Sequence, residues 1–230
     1  MVLSWIDLLF LFAAGSLMGW MAEVLFNRRL KKLNPGFLNG PYLPVYGFGL
    51  ILVYLISLVP MNLILRIIVF AVVTTGLELV SGLIFINLYK IRIWDYSNNF
   101  MNFRGIICPL CTFYFTVLSL IFYFFMFPYV NIALSFTEGN TFAYFILGAF
   151  YTIFSIDTIN SLRIASRVKK AVTGVNKEVT INYSLFKDSV VDYLKRTGEA
   201  SFVLRFIFTL NNIVSNEMQG QINRFLKKKE

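Results

Sequence analysis

Apolar residues run along this chain in long blocks separated by short polar stretches. Five blocks reach the length of a membrane crossing: about Leu3–Phe26, Tyr42–Val59, Leu63–Tyr89, Gly105–Val130 and Phe142–Leu162. A hydrocarbon core about 30 Å thick takes roughly 20 apolar residues in helical form. The pattern predicts an all-α, polytopic helical membrane protein with about five transmembrane helices in residues 1–162. Residues 163–230 form a basic tail with thirteen Lys/Arg against six Asp/Glu, expected to be helical and cytoplasmic. A helix should run out of the membrane past Arg163 and give way to a linker near Gly174. Further on, Leu185, Val190, Val191 and Leu194 recur at helical spacing. The apolar run Phe202–Leu210 is interrupted by Arg205 and too short to span, which fits an interfacial or neighbour-packed helix.

Composition agrees with the pattern. Of 230 residues, 57% are hydrophobic and only 14% charged, too oily for a soluble domain of this size. The first block is read as a retained span and not a cleavable signal: it carries Asp7 and no leading base, and the positive charge follows it as "NRRLKK". Charge then predicts orientation. Arg28, Arg29, Lys31 and Lys32 follow the first block, Lys90, Arg92 and Arg104 the third, and Arg163, Arg167, Lys169 and Lys170 the fifth. The other side has Arg66, and its expected loop "NIALSFTEGN" has no base. The positive-inside rule gives a plasma-membrane protein with its N-terminus outside and its C-terminus in the cytoplasm. A net charge of +9 does not imply nucleic acid, because the bases sit where cytoplasmic flanks carry them. The absence of histidine removes imidazole bases and most zinc sites, so no metal and no cofactor is expected.

Carboxylates inside the oily blocks carry the candidate chemistry. Glu78 lies twelve residues after Arg66 and twelve before Lys90. At 1.5 Å per residue it sits roughly 18 Å from each, near the bilayer midplane. A charge there costs about 2.5–3.5 kcal/mol, so Glu78 must face protein or water. Glu23 and Asp157 should lie on the order of 8 Å inside the cytoplasmic boundary. Two readings stand: a structural pair or hydrogen-bonded carboxyl, or a polar cavity. For Glu78 and Glu23 the default for intramembrane ionisable groups favours the cavity. For Asp157, so near the headgroups, structure or solvation is the better account. Gly15 and Gly19 form a G-x-x-x-G pair that serves a dimer or intramolecular packing equally well.

Two further stretches stand out. "NPGFLNGPYLPVYGFG" (Asn34–Gly49) holds three prolines and four glycines, so no regular helix can begin before about Leu43. It is either a tight loop outside the membrane or a partly re-entrant lead-in, and such backbone survives at depth only when buried in protein or lining a wet cavity. "IWDYSNNFMNFRGIICPLC" (Ile93–Cys111) has interfacial Trp94 and Tyr96. Its Arg104 has two candidate partners: Asp95, or the acids Glu78 and Glu23 within the bundle. Pro109 suits the first turn of a helix. Cys108 and Cys111 match C-x-x-C, but the expected reducing side and missing ligands favour small buried residues over a disulfide, a redox pair or zinc.

"GWMAEVLF" (Gly19–Phe26), the Gly/Pro stretch, "GLELVSG" (Gly76–Gly82) and "IWDYSNNFMNFRGIIC" occur in an order that resembles the bacterial membrane family described as "Putative ABC-transporter type IV", the CmpB-like group. The resemblance covers about residues 8–128. It implies a small permease-like protein with signature positions Glu23, Gly40, Pro41, Pro44, Tyr46, Gly47, Glu78, Gly82, Trp94, Asp95, Tyr96, Asn102, Gly105 and Cys108. The family's base after the last glycine is replaced here by Ile106. Glu23, Glu78, Tyr46, Trp94, Asp95, Asn102 and Arg104 are the candidate cavity or substrate residues. Gly40, Pro41, Pro44, Gly47, Gly82, Gly105 and Cys108 are candidate backbone or packing positions. No G-x-x-x-x-G-K-[ST] is present, so ATP-driven work would need a separate ATPase subunit. A homodimer or larger complex is expected from the thin five-helix wall. The expected role is transport-associated and not enzymatic. The alternative is a membrane scaffold or regulator that recruits partners through its loop and tail.

Overall fold

The computed structural model describes residues 3–26, 36–173 and 180–183. The bases at 28–32 and the tail helices expected beyond 184 lie outside that set. Helix α1 runs Trp5–Phe26, α2 Pro44–Leu58 and α3 Leu63–Tyr89. A continuous rod, Pro109–Thr137, follows, and α6 closes the bundle as Thr141–Thr173. Among the described residues, four helices are long and apolar enough to cross a membrane. Their outer faces stay greasy, with Ile64, Val72, Phe136 and Phe145 among the exposed large side chains. In water such a surface would be a liability, but against lipid it is a matched solvent.

Local chemistry sets the ends. Ser4 and Asp7 form a reciprocal cap on α1: the Asp7 carboxylate accepts from the Ser4 N–H at 2.8 Å, and the Ser4 hydroxyl accepts from the Asp7 N–H at 3.2 Å. Asn62 caps α3 through the Leu65 N–H at 2.8 Å. At the α2–α3 corner Arg66 is buried. Its guanidinium donates to the carbonyls of Ile56 and Val59, each at 2.9 Å, and lies 4.1 Å from the centroid of the Tyr123 ring. This basic marker is therefore spent on carbonyls at the end of α2, where the Ile56 carbonyl also accepts the Val59 N–H at 3.2 Å.

Two boundaries differ from the sequence pattern. The span expected over 105–130 starts at Pro109, because Cys108 is extended and its sulfur caps the Cys111 N–H. It continues to Thr137, so most of the expected "NIALSFTEGN" loop is helical, and the connection shrinks to 138–140. Within the rod, α4 (Pro109–Ile121) and α5 (Phe127–Thr137) are joined by a π-turn, Phe122–Met126. Pro128 explains it: a proline lacks a donor and collides with the carbonyl four residues back, and a widened turn relieves both. Helix α6 runs on past Arg163 to Thr173, the continuation expected from the sequence.

The span expected over 42–59 is the fifth helix, and it is short. Fifteen residues of α2 rise only about 22 Å, less than a bilayer core. The lead-in at 37–43 makes up the difference. The Leu43 N–H donates to the carbonyl of Ser16 at 2.9 Å, in the middle of α1. Ser16 lies ten residues from the end of α1 at Phe26, roughly 15 Å into the helix. Phe37, Leu38, Tyr42 and Leu43 are all buried there. Non-helical backbone thus sits at helix depth, enclosed by protein, as the re-entrant reading requires.

That lead-in also anchors the far end of the described chain. Ile91–Arg92 (β1) pairs in parallel with Ile181–Asn182 (β2), and Ile181 and Tyr183 join Phe37, Leu38 and Tyr42 in one buried cluster. A second cluster at the other end of the bundle gathers Leu11, Val53, Tyr54, Phe70, Phe122 and Leu134.

Candidate intramembrane site

Glu78 projects from the middle of α3 and is only 4% exposed. One turn further along the same face, Gly82 is pressed by the side chain of Ile106. That contact hooks the 90–108 loop onto α3, and the loop delivers Tyr96 to the acid. The Tyr96 hydroxyl donates to the Glu78 carboxylate. The carboxylate oxygen Oε2 is buried without a hydrogen-bond partner.

Glu23, in the last turn of α1, accepts the Tyr46 hydroxyl of α2 at 2.9 Å. Tyr46 fits because its ring lies where a Cβ on Gly19 would be. The two acids belong to one electrostatic group: Tyr46 feels Glu23 and then Glu78, and Tyr96 feels Glu78 and then Glu23. Burial, then the Glu78 charge and the hydrogen bond to it, then Glu23, push the Tyr96 phenol above its ordinary range. It therefore stays neutral and donates. Sequence reasoning placed Tyr96 at the interface and left it out of the candidate cavity set, because nothing local shows that the loop turns back.

A cavity of about 190 Å³ opens beside Glu78, walled by α1, α2, α3 and α4 with the π-turn. Tyr46 and Glu78 line it, while Glu23 stands behind Tyr46. The walls are otherwise almost wholly apolar, among them Met18, Leu50, Val53, Leu77, Phe115 and Phe122. The expected polar cavity is thus an apolar one with a carboxyl in its wall.

Trp94, Asp95, Asn102 and Arg104 do not line that cavity. They shape the loop. Trp94 Nε1 donates to the Ile106 carbonyl at 2.9 Å. The Asn102 amide donates to the carbonyls of Ser97 and Asn99 at 3.0 and 2.9 Å and accepts the Gly105 N–H at 2.9 Å. Asp95 meets Arg92 at 3.2 Å, so Arg92 and not Arg104 is its cation. Partial burial alone would raise the Asp95 carboxyl, but hydrogen bonds from Ser97 and the charge of Arg92 hold it below its usual range. Arg104 is exposed, with its guanidinium 5.7 Å from the centroid of the Phe103 ring. Gly105 has φ +65°, and a Cβ there would strike Asp95, Ser97 and Arg92, so only glycine fits this turn.

Gly40, Pro41, Pro44 and Gly47 position the lead-in. Pro44 opens α2, and Gly47 lies against the backbone of Phe12. Asp157 of α6 holds the lead-in from the other side. Its carboxylate accepts the N–H groups of Asn39 and Gly40 at 2.9 and 2.8 Å, the Asn39 amide at 2.9 Å and the Tyr42 hydroxyl at 2.9 Å. This acid is a structural clamp. Gly15 and Gly19 both face α2, so the G-x-x-x-G pair packs within the chain.

The cysteines correct an expectation. Cys108 and Cys111 are joined in a disulfide, not left as small buried thiols. Their i, i+3 positions at the start of α4 bring the Cα atoms to 5.3 Å, within bonding reach. The Asn99 amide points at both sulfurs, 3.3 Å from Cys108 Sγ and 3.8 Å from Cys111 Sγ. A bulky maleimide added to denatured protein should therefore label neither cysteine without reductant and both after reduction. Two labels without reductant would show an open dithiol.

Membrane-length helices around a short fifth one, with greasy outer faces and a buried, non-helical lead-in, define a polytopic helical membrane protein. Within that class the chain belongs to the family described as "Putative ABC-transporter type IV", whose model matches residues 10–162. No curated protein and no solved structure matches it.

Proposed function

We propose that this protein is a multipass, permease-like component of a transport system, and that its substrate is handled at Glu78. The observation that carries this reading is the Glu78 Oε2 atom, buried and unpartnered beside a cavity between four membrane helices. An isolated buried carboxyl costs several kcal/mol unless something pairs with it, and a purely structural acid would be fully satisfied by its neighbours. Asp157 shows what that looks like in the same fold. The family supports a membrane role of the ABC-transporter kind, with energy supplied by a separate ATPase subunit. Binding, and not chemical conversion, is the role we assign to the site. The plasma membrane is the location we assign, with the basic loop holding Lys90, Arg92 and Arg104 on the cytoplasmic side and the N-terminus outside.

The test is complementation of a strain lacking the gene. Glu78→Gln, expressed and inserted at wild-type level, should fail to restore function. Full activity of that variant would remove the reading. A second reading, a membrane scaffold, draws on the pairing of Ile181–Asn182 with Ile91–Arg92, which ties the start of the tail to the loop. It predicts the reverse pattern: Glu78→Gln complements, and deletion of residues 184–230 does not.

A further inference from the structure

We infer that the cavity beside Glu78 binds a single-chain amphiphile whose head is a protonated amine. This deepens the reading of Glu78 as the substrate-handling group and rests on it. The walls decide the tail. Of the polar side chains lining the cavity, the Thr74 hydroxyl donates to the Phe70 carbonyl at 2.8 Å and the Ser119 hydroxyl to the Phe115 carbonyl at 2.8 Å. Tyr46 is committed to Glu23. Those three hydroxyls have spent their protons and keep only neutral acceptor lone pairs, and Glu78 is the one carboxylate in the wall. Such a surface gains by covering itself with hydrocarbon and has little to offer a sugar, a peptide or an inorganic ion. About 190 Å³, little more than the roughly 150 Å³ that takes a benzene, holds the head and first carbons of one slender chain with the rest lying outside it, and not the two tails of a phospholipid.

The carboxyl decides the head. Among the described residues no Lys or Arg pairs with Glu78, and the one group bonded to it is the neutral phenol of Tyr96. Oε2 remains as a buried acceptor of a residue that lines an oily space, and a head group would have to turn the carboxyl toward itself to reach it. A carboxylate or phosphate head would meet like charge with Glu23 close by. An alcohol would supply a donor and leave the charge uncompensated. An ammonium supplies both the donor and the opposite charge, the stronger form of hydrogen bond.

The experiment uses the full chain in nanodiscs of zwitterionic lipid at neutral pH, where a primary alkylamine is protonated. Dodecylamine, dodecanol and dodecanoate are titrated in turn, and the thermal unfolding midpoint is read at each concentration. Dodecylamine should raise the midpoint saturably and dodecanoate should not. Glu78→Gln should weaken the apparent amine affinity about tenfold or more. Glu138→Gln, which removes an exposed acid outside the cavity, should leave it unchanged. Gly49→Leu guards against misfolding as the explanation. A Cβ at Gly49 would meet only Leu77, at 3.7 Å, in ordinary contact, so a leucine at this lining position should take up cavity space and abolish amine binding, with the unliganded midpoint checking that the protein is folded. Equal response to amine and dodecanoate, or amine binding retained in both Glu78→Gln and Gly49→Leu, would mean partition into lipid and overturn the inference. If the amine fails to bind while Glu78→Gln still abolishes complementation, only the ligand class is wrong. If it binds and Glu78→Gln complements, binding stands and the transport reading falls.

Discussion

Asp157→Ala is expected to destabilise the fold by on the order of 4 kcal/mol, a large effect for one side chain. Four donors of the lead-in converge on this carboxylate: two backbone N–H groups, the Asn39 amide and the Tyr42 hydroxyl. Ser161 of the same helix adds a contact at 3.2 Å. Alanine would remove the acceptor these donors share, with the Asn39 amide keeping Ser161 at 3.4 Å, in a site where Asp157 itself is 8% exposed. Each buried donor so stranded costs about 1–3 kcal/mol, reduced where water can follow into the gap. The consequence reaches α2, because the lead-in supplies the part of the crossing that fifteen helical residues cannot. Thermal unfolding in detergent should fall sharply, and hydrogen exchange across 37–43 should rise. Asp157→Asn, which keeps one acceptor and the shape, should lose less. A variant within about 0.5 kcal/mol of wild type would show that the clamp contributes little, as ordinary surface substitutions do.

Much of this arrangement could be read before the fold was seen. A lone acid in an oily run must face inward, and Glu78 does. Three prolines among four glycines cannot begin a helix, and α2 starts at Pro44 as that predicts. What escaped the sequence was everything made by distant partners. Asp157 and Asn39 are separated by 118 positions, and no local pattern announces that one accepts from the other. Tyr96 lies in a polar loop whose composition suits an interface, yet the Ile106–Gly82 contact folds it back onto α3. Arg104 was the natural counterion for the acids on charge alone. Its backbone is in the left-handed region, φ 53°, and the side chain goes elsewhere. The disulfide follows from the short reach of C-x-x-C at a helix start, which compartment alone does not reveal.

The small residues of α1 and α2 make the last point testable. Gly47→Leu is expected to disrupt the bundle, whereas Gly76→Leu, in the adjacent helix α3, is expected to be tolerated. A Cβ on Gly47 would lie 2.7 Å from the Phe12 carbonyl oxygen, and closer still to the Ser16 hydroxyl. The first is backbone and cannot rotate away, so α1 and α2 would have to part. Overpacking of this kind costs about 1–3 kcal/mol. The separation would also pull Tyr46 from Glu23 and the Leu43 N–H from the Ser16 carbonyl. At Gly76 nothing lies within 4 Å of the added atom, and leucine should gain roughly 0.5–1 kcal/mol of helix propensity. Paired melts of the two variants in the same detergent decide the matter. Equal midpoints would refute close α1–α2 packing through Gly47. Lipid tails are as oily as leucine, so burial does not drive these two helices together. Close backbone approach does, and it exists only where the side chain is absent.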